Sequence, residues 1–210
     1  MEEEVYSDPK FIQFLQNYIP LRLNIEDGSE GTRWAEHYGV ETLPTLLMID
    51  SNGRLLNRIG GYMNTAELVA DLKTIQDLTD KERINPNDWD TIQTLGEEYL
   101  FRDMNQEAEM KFSRIISAPV SDTKKESAYC SLALSQYYQK KNQEALKTLQ
   151  DYLQIFVDGR STEDVLLLLS QIYLEMDHPD QARQVLQQFL KAFPDSDNAP
   201  RVRRVLSELR

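Results

Sequence analysis

Ala108, Ala145 and Ala182 recur at an interval of 37 residues. Each follows a polar string: Asn105–Gln106–Glu107, Asn142–Gln143–Glu144 and Pro179–Asp180–Gln181. Behind each alanine comes an apolar set at helical spacing, namely Phe112 and Ile115, Leu149 and Tyr152, Leu186 and Phe189. Ahead of each lies a second helical stretch with a large–small pair: Leu95–Gly96, Leu132–Ala133 and Leu169–Ser170. A small residue there lets the two helices of a hairpin approach closely. A period of this length predicts stacked helical hairpins, because one hairpin alone cannot bury its apolar face. Three hairpins fit residues 89–198, and residues 199–210 fit one more helix that covers the last of them. A helical bundle without repetition is the alternative.

Charge and cysteine usage exclude several function classes. The chain of 210 residues has 35 acidic and 23 basic side chains, a net charge of −12. Residues 1–75 carry twelve acidic and six basic groups, so the excess is shared between both halves. Neither half is a basic module, which argues against nucleic-acid binding. No apolar run approaches membrane-spanning length, so no membrane insertion is expected. Cys130 is the one cysteine, so neither an internal disulfide nor a cysteine-based metal cluster is available. His37 and His178 have no Cys or His neighbour at ligand spacing and read as surface residues. No glycine loop suits a phosphate, and no cofactor is called for. The start Met1–Glu2–Glu3–Glu4 lacks the basic character of a signal peptide, which makes the chain as written cytoplasmic. A signal peptide upstream of it makes the protein periplasmic.

The first 76 residues follow a different period. Met1–Tyr6 fits the end of a helix. Asp8–Pro9 fits a helix start, with Asp8 as cap and Phe11, Ile12, Phe14, Leu15 and Tyr18 on one apolar face. Residues 19–25 alternate, with Ile19, Leu21, Leu23 and Ile25 on one side, and predict a strand. Residues 30–38 predict a helix, with Trp34, Ala35 and Tyr38 inward. Pro44 opens a short apolar run through Asp50. Asn52–Gly53 signals a hairpin into residues 55–59. Asn64 and Glu67 form a capping-box pair for a last helix lined by Leu68, Leu72 and Ile75. Residues 77–88 are polar and read as a linker.

The segment Gly39–Val40–Glu41–Thr42–Leu43–Pro44–Thr45 with its following strand resembles the second half of a thioredoxin domain. That resemblance covers roughly the first third of the chain and implies a cis bond at Leu43–Pro44. It also implies that the backbone at Leu43, Pro44 and Thr45 binds an extended peptide. The unit that opens a thioredoxin domain, a strand and the Cys-x-x-Cys turn, is not in this sequence. The missing strand lies in the family between residues 19–25 and the Pro44 strand, so two apolar edges are left facing a slot. Closing up, an outside segment or a dimer that fills the missing central strand are the ways to resolve it. The residues before Asp8 match the acidic stretch after the cysteine motif in such proteins, which makes Met1 an expected internal methionine of a longer chain.

The 37-residue period resembles the tetratricopeptide repeat. Leu95, Gly96, Tyr99, Ala108 and Phe112 match its pattern in the first repeat. Leu132, Ala133 and Ala145 match in the second, and Leu169, Tyr173, Ala182 and Pro194 in the third. The register of that family directs Glu97, Phe101, Cys130, Leu134, Tyr137, Tyr138 and Gln171 into a concave groove. The groove lacks the lysines and asparagines of chaperone-tail receptors. Cys130 reads as a structural cysteine, since redox catalysis needs an exposed, low-pKa thiol and a resolving partner. The fold expected is therefore a truncated α/β thioredoxin-like domain followed by an all-α tetratricopeptide superhelix. The function expected is a protein-interaction module for a protein or peptide client. The alternative is a piece of a thiol–disulfide oxidoreductase whose Cys-x-x-Cys lies upstream.

Overall fold

The computed structural model describes residues 5–25, 28, 30–156 and 159–209. They form two compact units. The N-terminal unit runs to Thr91 and includes Phe101–Met104, and the second holds Ile92–Leu100 and the chain from Asn105 onward.

In the N-terminal unit, Asp8 caps α1 (Pro9–Phe14) by accepting the Lys10 amide at 2.7 Å, with proline at the first helical position where no N–H is needed. A short 3₁₀ turn (Leu15–Asn17) follows, and then α2 (Glu30–His37). Strands β1 (Thr45–Ile49) and β2 (Leu55–Gly60) pair antiparallel around the Asn52–Gly53 turn, with Leu46 opposite Ile59 and Leu47 opposite Arg58. The Leu43–Pro44 bond is cis. Helix α3 (Thr65–Ile84) starts on the expected capping box: the Glu67 amide donates to Asn64 Oδ1 at 3.0 Å, and the Asn64 amide to Glu67 Oε2 at 3.4 Å. Leu68 and Leu72 of α3 are buried with Val5, Phe11, Met48 and Ile59 to make this unit's core. Asp71, on the same helix, gathers Asn57 Nδ2 at 3.2 Å and Arg102 Nη2 at 2.8 Å.

Two expectations change here. Residues 19–25 are not a strand. Among the described residues the sheet has two strands, β1 and β2, and residues 19–24 form no regular element. Ile19 and Leu21 are 89 % and 72 % exposed, and Leu23 is also exposed. The alternating pattern is genuine, but a strand needs a partner for its N–H and C=O groups. The other end of this segment is anchored. Thr32 Oγ1 of α2 donates to Ile25 O at 2.9 Å, and a Cβ on Gly31 would lie 2.0 Å from Asn24 O, so only glycine fits. The stretch read as a linker is helical as far as Ile84. Of the helix end expected at residues 1–6, residues 1–4 lie outside the described residues, and Val5 to Ser7 form a turn.

Among the described residues, the regular elements of the second unit are all helices. Its elements are α4 (Trp89–Phe101), shared with the first unit at its ends, α5 (Asn105–Ile116), α6 (Asp122–Tyr138), α7 (Asn142–Ile155), α8 (Thr162–Glu175), α9 (Pro179–Ala192) and α10 (Ala199–Glu208). Ala108, Ala145 and Ala182 are completely buried, each at the same point of the second helix of a hairpin. A Cβ on Gly96 would stand 2.9 Å from Phe112 Cζ, which is how tightly α4 and α5 meet. Ala133 and Ser170, at the equivalent points of α6 and α8, are buried too. Ala199 and Val202 of α10 join the core of Leu149, Leu166 and Phe189, so the last helix covers the stack.

Candidate functional site

The face that α6 and α8 share holds most of the expected groove residues. Both helices come first in their hairpins, and their residues correspond at the repeat interval of 37: Leu134 with Gln171, Tyr138 with Glu175. Gln171 Nε2 donates to Tyr137 Oη at 2.7 Å, and Tyr137 Oη donates to Glu175 Oε1. One phenol therefore ties the two helices together. That short contact pushes the Tyr137 hydroxyl above its ordinary pKa and holds Glu175 below the usual carboxylate range. The Lys140 ammonium sits 5.8 Å from the Tyr137 ring centroid, a cation–π distance. Tyr138, whose ring centroid is 5.7 Å from that of Tyr137, remains 51 % exposed. Leu134, one turn earlier, is half-buried.

Cys130 lies two turns before Tyr137 on the same helix and is half-buried. Burial pushes its thiol up to about 11, reinforced by Glu126 and Asp164 and opposed by a hydrogen bond to the Ser161 side chain. At neutral pH it is a thiol, not a thiolate. Beside it is a buried polar knot. Tyr152 Oη donates to Glu126 Oε1 at 2.8 Å, and the Ser161 amide donates to the same oxygen at 3.0 Å. Burial works against ionisation of Glu126, yet these donors and Arg160 keep it below the ordinary carboxylate range. Burial pushes Tyr152 up to about 12. Gly159 closes the knot, since a Cβ there would meet Tyr152 Oη at 2.2 Å.

Not every expected residue joins this face. Glu97 is exposed on α4, where it accepts from Gln93 Nε2 at 3.0 Å. Phe101 is 84 % exposed and belongs to the N-terminal unit. Asp164, Lys140 and Glu175 were missed. Asp164 and Glu175 stand 37 residues after Ser127 and Tyr138, so the repeat interval itself was the signal that could have found them. A separate cleft of about 400 Å³ lies between α7, α8 and α9, lined by Lys147, Gln150, Tyr173, Met176, His178 and Gln181.

In the N-terminal unit, Leu43 is exposed ahead of β1. The Gly61 amide donates to Pro44 O at 2.8 Å, so Pro44 faces β2. Antiparallel ladders alternate, so Thr45 and Leu47 direct their N–H and C=O groups away from β2.

Comparison with known proteins follows the same division. A thioredoxin-like domain model matches residues 1–76, and a tetratricopeptide repeat model matches residues 136–209. The chain joins a thioredoxin-like segment to tetratricopeptide repeats. No curated protein matches it in sequence. Among solved structures it is similar to a crystal structure of MamA, at 16 % identity and a TM-score of 0.52, over 71 % of this chain and 94 % of that one. A second crystal structure of MamA protein gives 18 % identity and a TM-score of 0.52, over 64 % of this chain and 74 % of that one. At such identities the likeness is one of fold.

Proposed function

We propose that the chain is a protein-interaction module whose tetratricopeptide repeats hold an extended or helical segment of a protein client. The observation that carries this reading is the face shared by α6 and α8. Its polar groups are tied across two hairpins through Tyr137, Gln171 and Glu175, while the Tyr138 ring beside them stays exposed. An aromatic anchor on a pre-set frame is the usual centre of a binding surface. Cys130 and Leu134 line the same helix as Tyr137 and Tyr138, and Glu97 on α4 is the proposed extension of the groove within the repeats.

A photo-crosslinking residue at Tyr138 tests the reading, with Gln184 on α9 as the control position. Adducts from position 138 in the source cell, absent from position 184, are the expected result. Equal labelling from both positions overturns it. The loop Leu43–Pro44–Thr45 and the outward side of β1 form a second proposed contact surface, for an extended segment or for a second copy of the chain.

The second reading is a role within a thiol–disulfide oxidoreductase, and the match of residues 1–76 to a thioredoxin-like domain favours it. It assigns no redox step to Cys130, whose thiol is protonated at neutral pH. An insulin-reduction assay on protein isolated from its source tests this reading: turnover supports it, and no turnover removes it.

A further inference from the structure

We propose that the client segment held by the α6–α8 face is basic, with lysine or arginine on both sides of an apolar residue. This rests on the reading of that face as a docking surface and adds the chemistry of its occupant.

The charges of the repeats are sorted by helix. α4 and α8, which come first in their hairpins, carry no lysine or arginine. α6 carries two, Lys124 and Lys125, both near its start and ahead of Cys130, Leu134 and Tyr138. The second helices α5, α7 and α9 each carry at least one, and α10 carries three arginines. A net charge of −12 alone would not sort the cations this way.

Acids mark the face instead. Asp164 is exposed at the start of α8, and its charge reaches the Cys130 thiol on α6. Glu175 is exposed at the other end of α8, about 16 Å away at the helical rise. Glu97 is exposed on α4. The groups that donate to Glu97 and Glu175 are amides and a phenol, which orient a carboxylate without neutralising it. Lys140 acts on Glu175 from beyond the end of α6, where it also sits over the Tyr137 ring. It offsets charge at that end only.

Between the acids the surface is apolar. Leu167 and Leu168 lie between Asp164 and Glu175 on α8 and are half-buried, as is Leu134 on α6, and the Tyr138 ring is exposed beside them. A small cation would meet the acids and leave this floor uncovered. An acidic segment would be repelled. A segment with cations flanking an apolar residue satisfies both parts, and the Tyr138 ring can take one cation on its face, as Tyr137 takes Lys140. Extended at about 3.3 Å per residue, such a segment reaches Asp164 and Glu175 with cations roughly five residues apart.

The test uses the full chain and a phage-displayed library of random linear peptides. The immobilised chain selects from it, and the Tyr138→Ala chain serves for counter-selection. Affinities of the enriched peptides are then measured for the native chain and for two double variants. Asp164→Asn with Glu175→Gln removes two charges from the face, and Glu144→Gln with Glu208→Gln removes two from α7 and α10. Circular dichroism confirms that each variant is folded. The expected result is an enriched pool richer in lysine and arginine than the input, binding about fivefold weaker to the first double variant and unchanged to the second. Enriched peptides that need Tyr138 and show no excess of lysine or arginine keep the docking reading and overturn the basic client. Basic peptides that bind both double variants equally overturn it as well, because the attraction is then one of net charge. A native chain that retains no peptide better than Tyr138→Ala does overturns the docking reading and the basic client together.

Discussion

The repeat unit packs its apolar stripes against neighbouring helices and leaves only single apolar side chains such as Tyr138 and Ile155 exposed among the described residues, whereas the N-terminal unit leaves Ile19, Leu21 and Leu43 in water. The difference comes from how each architecture satisfies its backbone. A helix pairs its own N–H and C=O groups, so a hairpin needs its neighbours only for apolar cover, and stacking supplies that. A strand needs another strand on each side or an edge protected from pairing. The α10 helix closes the repeat stack with Ala199 and Val202, while nothing among the described residues closes β1.

The largest expected contrast comes from paired truncations. Phe112→Ala removes a fully buried ring from the first hairpin and is expected to cost about 3–5 kcal/mol. Ile19→Ser, at a side chain 89 % exposed, is expected to stay within about 0.5 kcal/mol. Urea denaturation of both variants checks this. A large loss from Ile19→Ser erases the contrast, because it makes Ile19 part of the packed core.

Gly96→Ala tests how closely the hairpins are packed. The new Cβ would stand 2.9 Å from Phe112 Cζ, and Phe112 is itself fully buried. Overpacking costs about 1–3 kcal/mol, part of which alanine's better helix propensity returns. A net loss of about 1–2 kcal/mol in the repeat unit is expected. Unchanged stability would show that α4 and α5 can separate without penalty.

Much of this contrast was legible in the sequence. The buried alanines, the small residues at 96, 133 and 170 and the capping box at Asn64 all follow from local rules of helix packing and capping. Residues 19–25 were misread because a period of two records which side of a segment is apolar, not whether a partner exists. The tie between Tyr137, Gln171 and Glu175 was half-legible. Tyr137 and Gln171 were placed on the right face, but which partner a phenol takes depends on the rotation of one helix against the next. The knot at Glu126 was hidden altogether. Its carboxylate looks like any helix-start acid until the α7–α8 turn folds over it.

That knot gives a pH dependence that sharpens the comparison. Glu126 is held below its ordinary pKa, so its contribution is fully present above the unfolded value of about 4.3 and is lost as pH falls through the folded value. Glu126→Gln is expected to cost about 1–2 kcal/mol at pH 7, where it replaces charge-assisted hydrogen bonds with neutral ones. The gap between the two proteins should then narrow below about pH 4.5. Denaturation midpoints of the repeat unit at pH 7 and pH 4 check both points. Parallel profiles would mean that Glu126 is not the group that titrates.

A smaller effect than that of the knot is expected at the surface that the proposed function uses. Tyr137→Phe removes the phenol that links Gln171 and Glu175, in a site open to water where neither partner is left buried and unpaired. Its cost should be below about 1 kcal/mol, and a double-mutant cycle with Glu175→Gln should give a coupling of about 0.5 kcal/mol. A coupling of several kcal/mol would make this cluster part of the framework that holds α6 against α8, like the knot at Glu126. A weak coupling together with lost client crosslinking from position 138 would separate the two roles. The buried contacts would then hold the hairpins together, and the exposed tie would set the angle at which Tyr138 meets its partner.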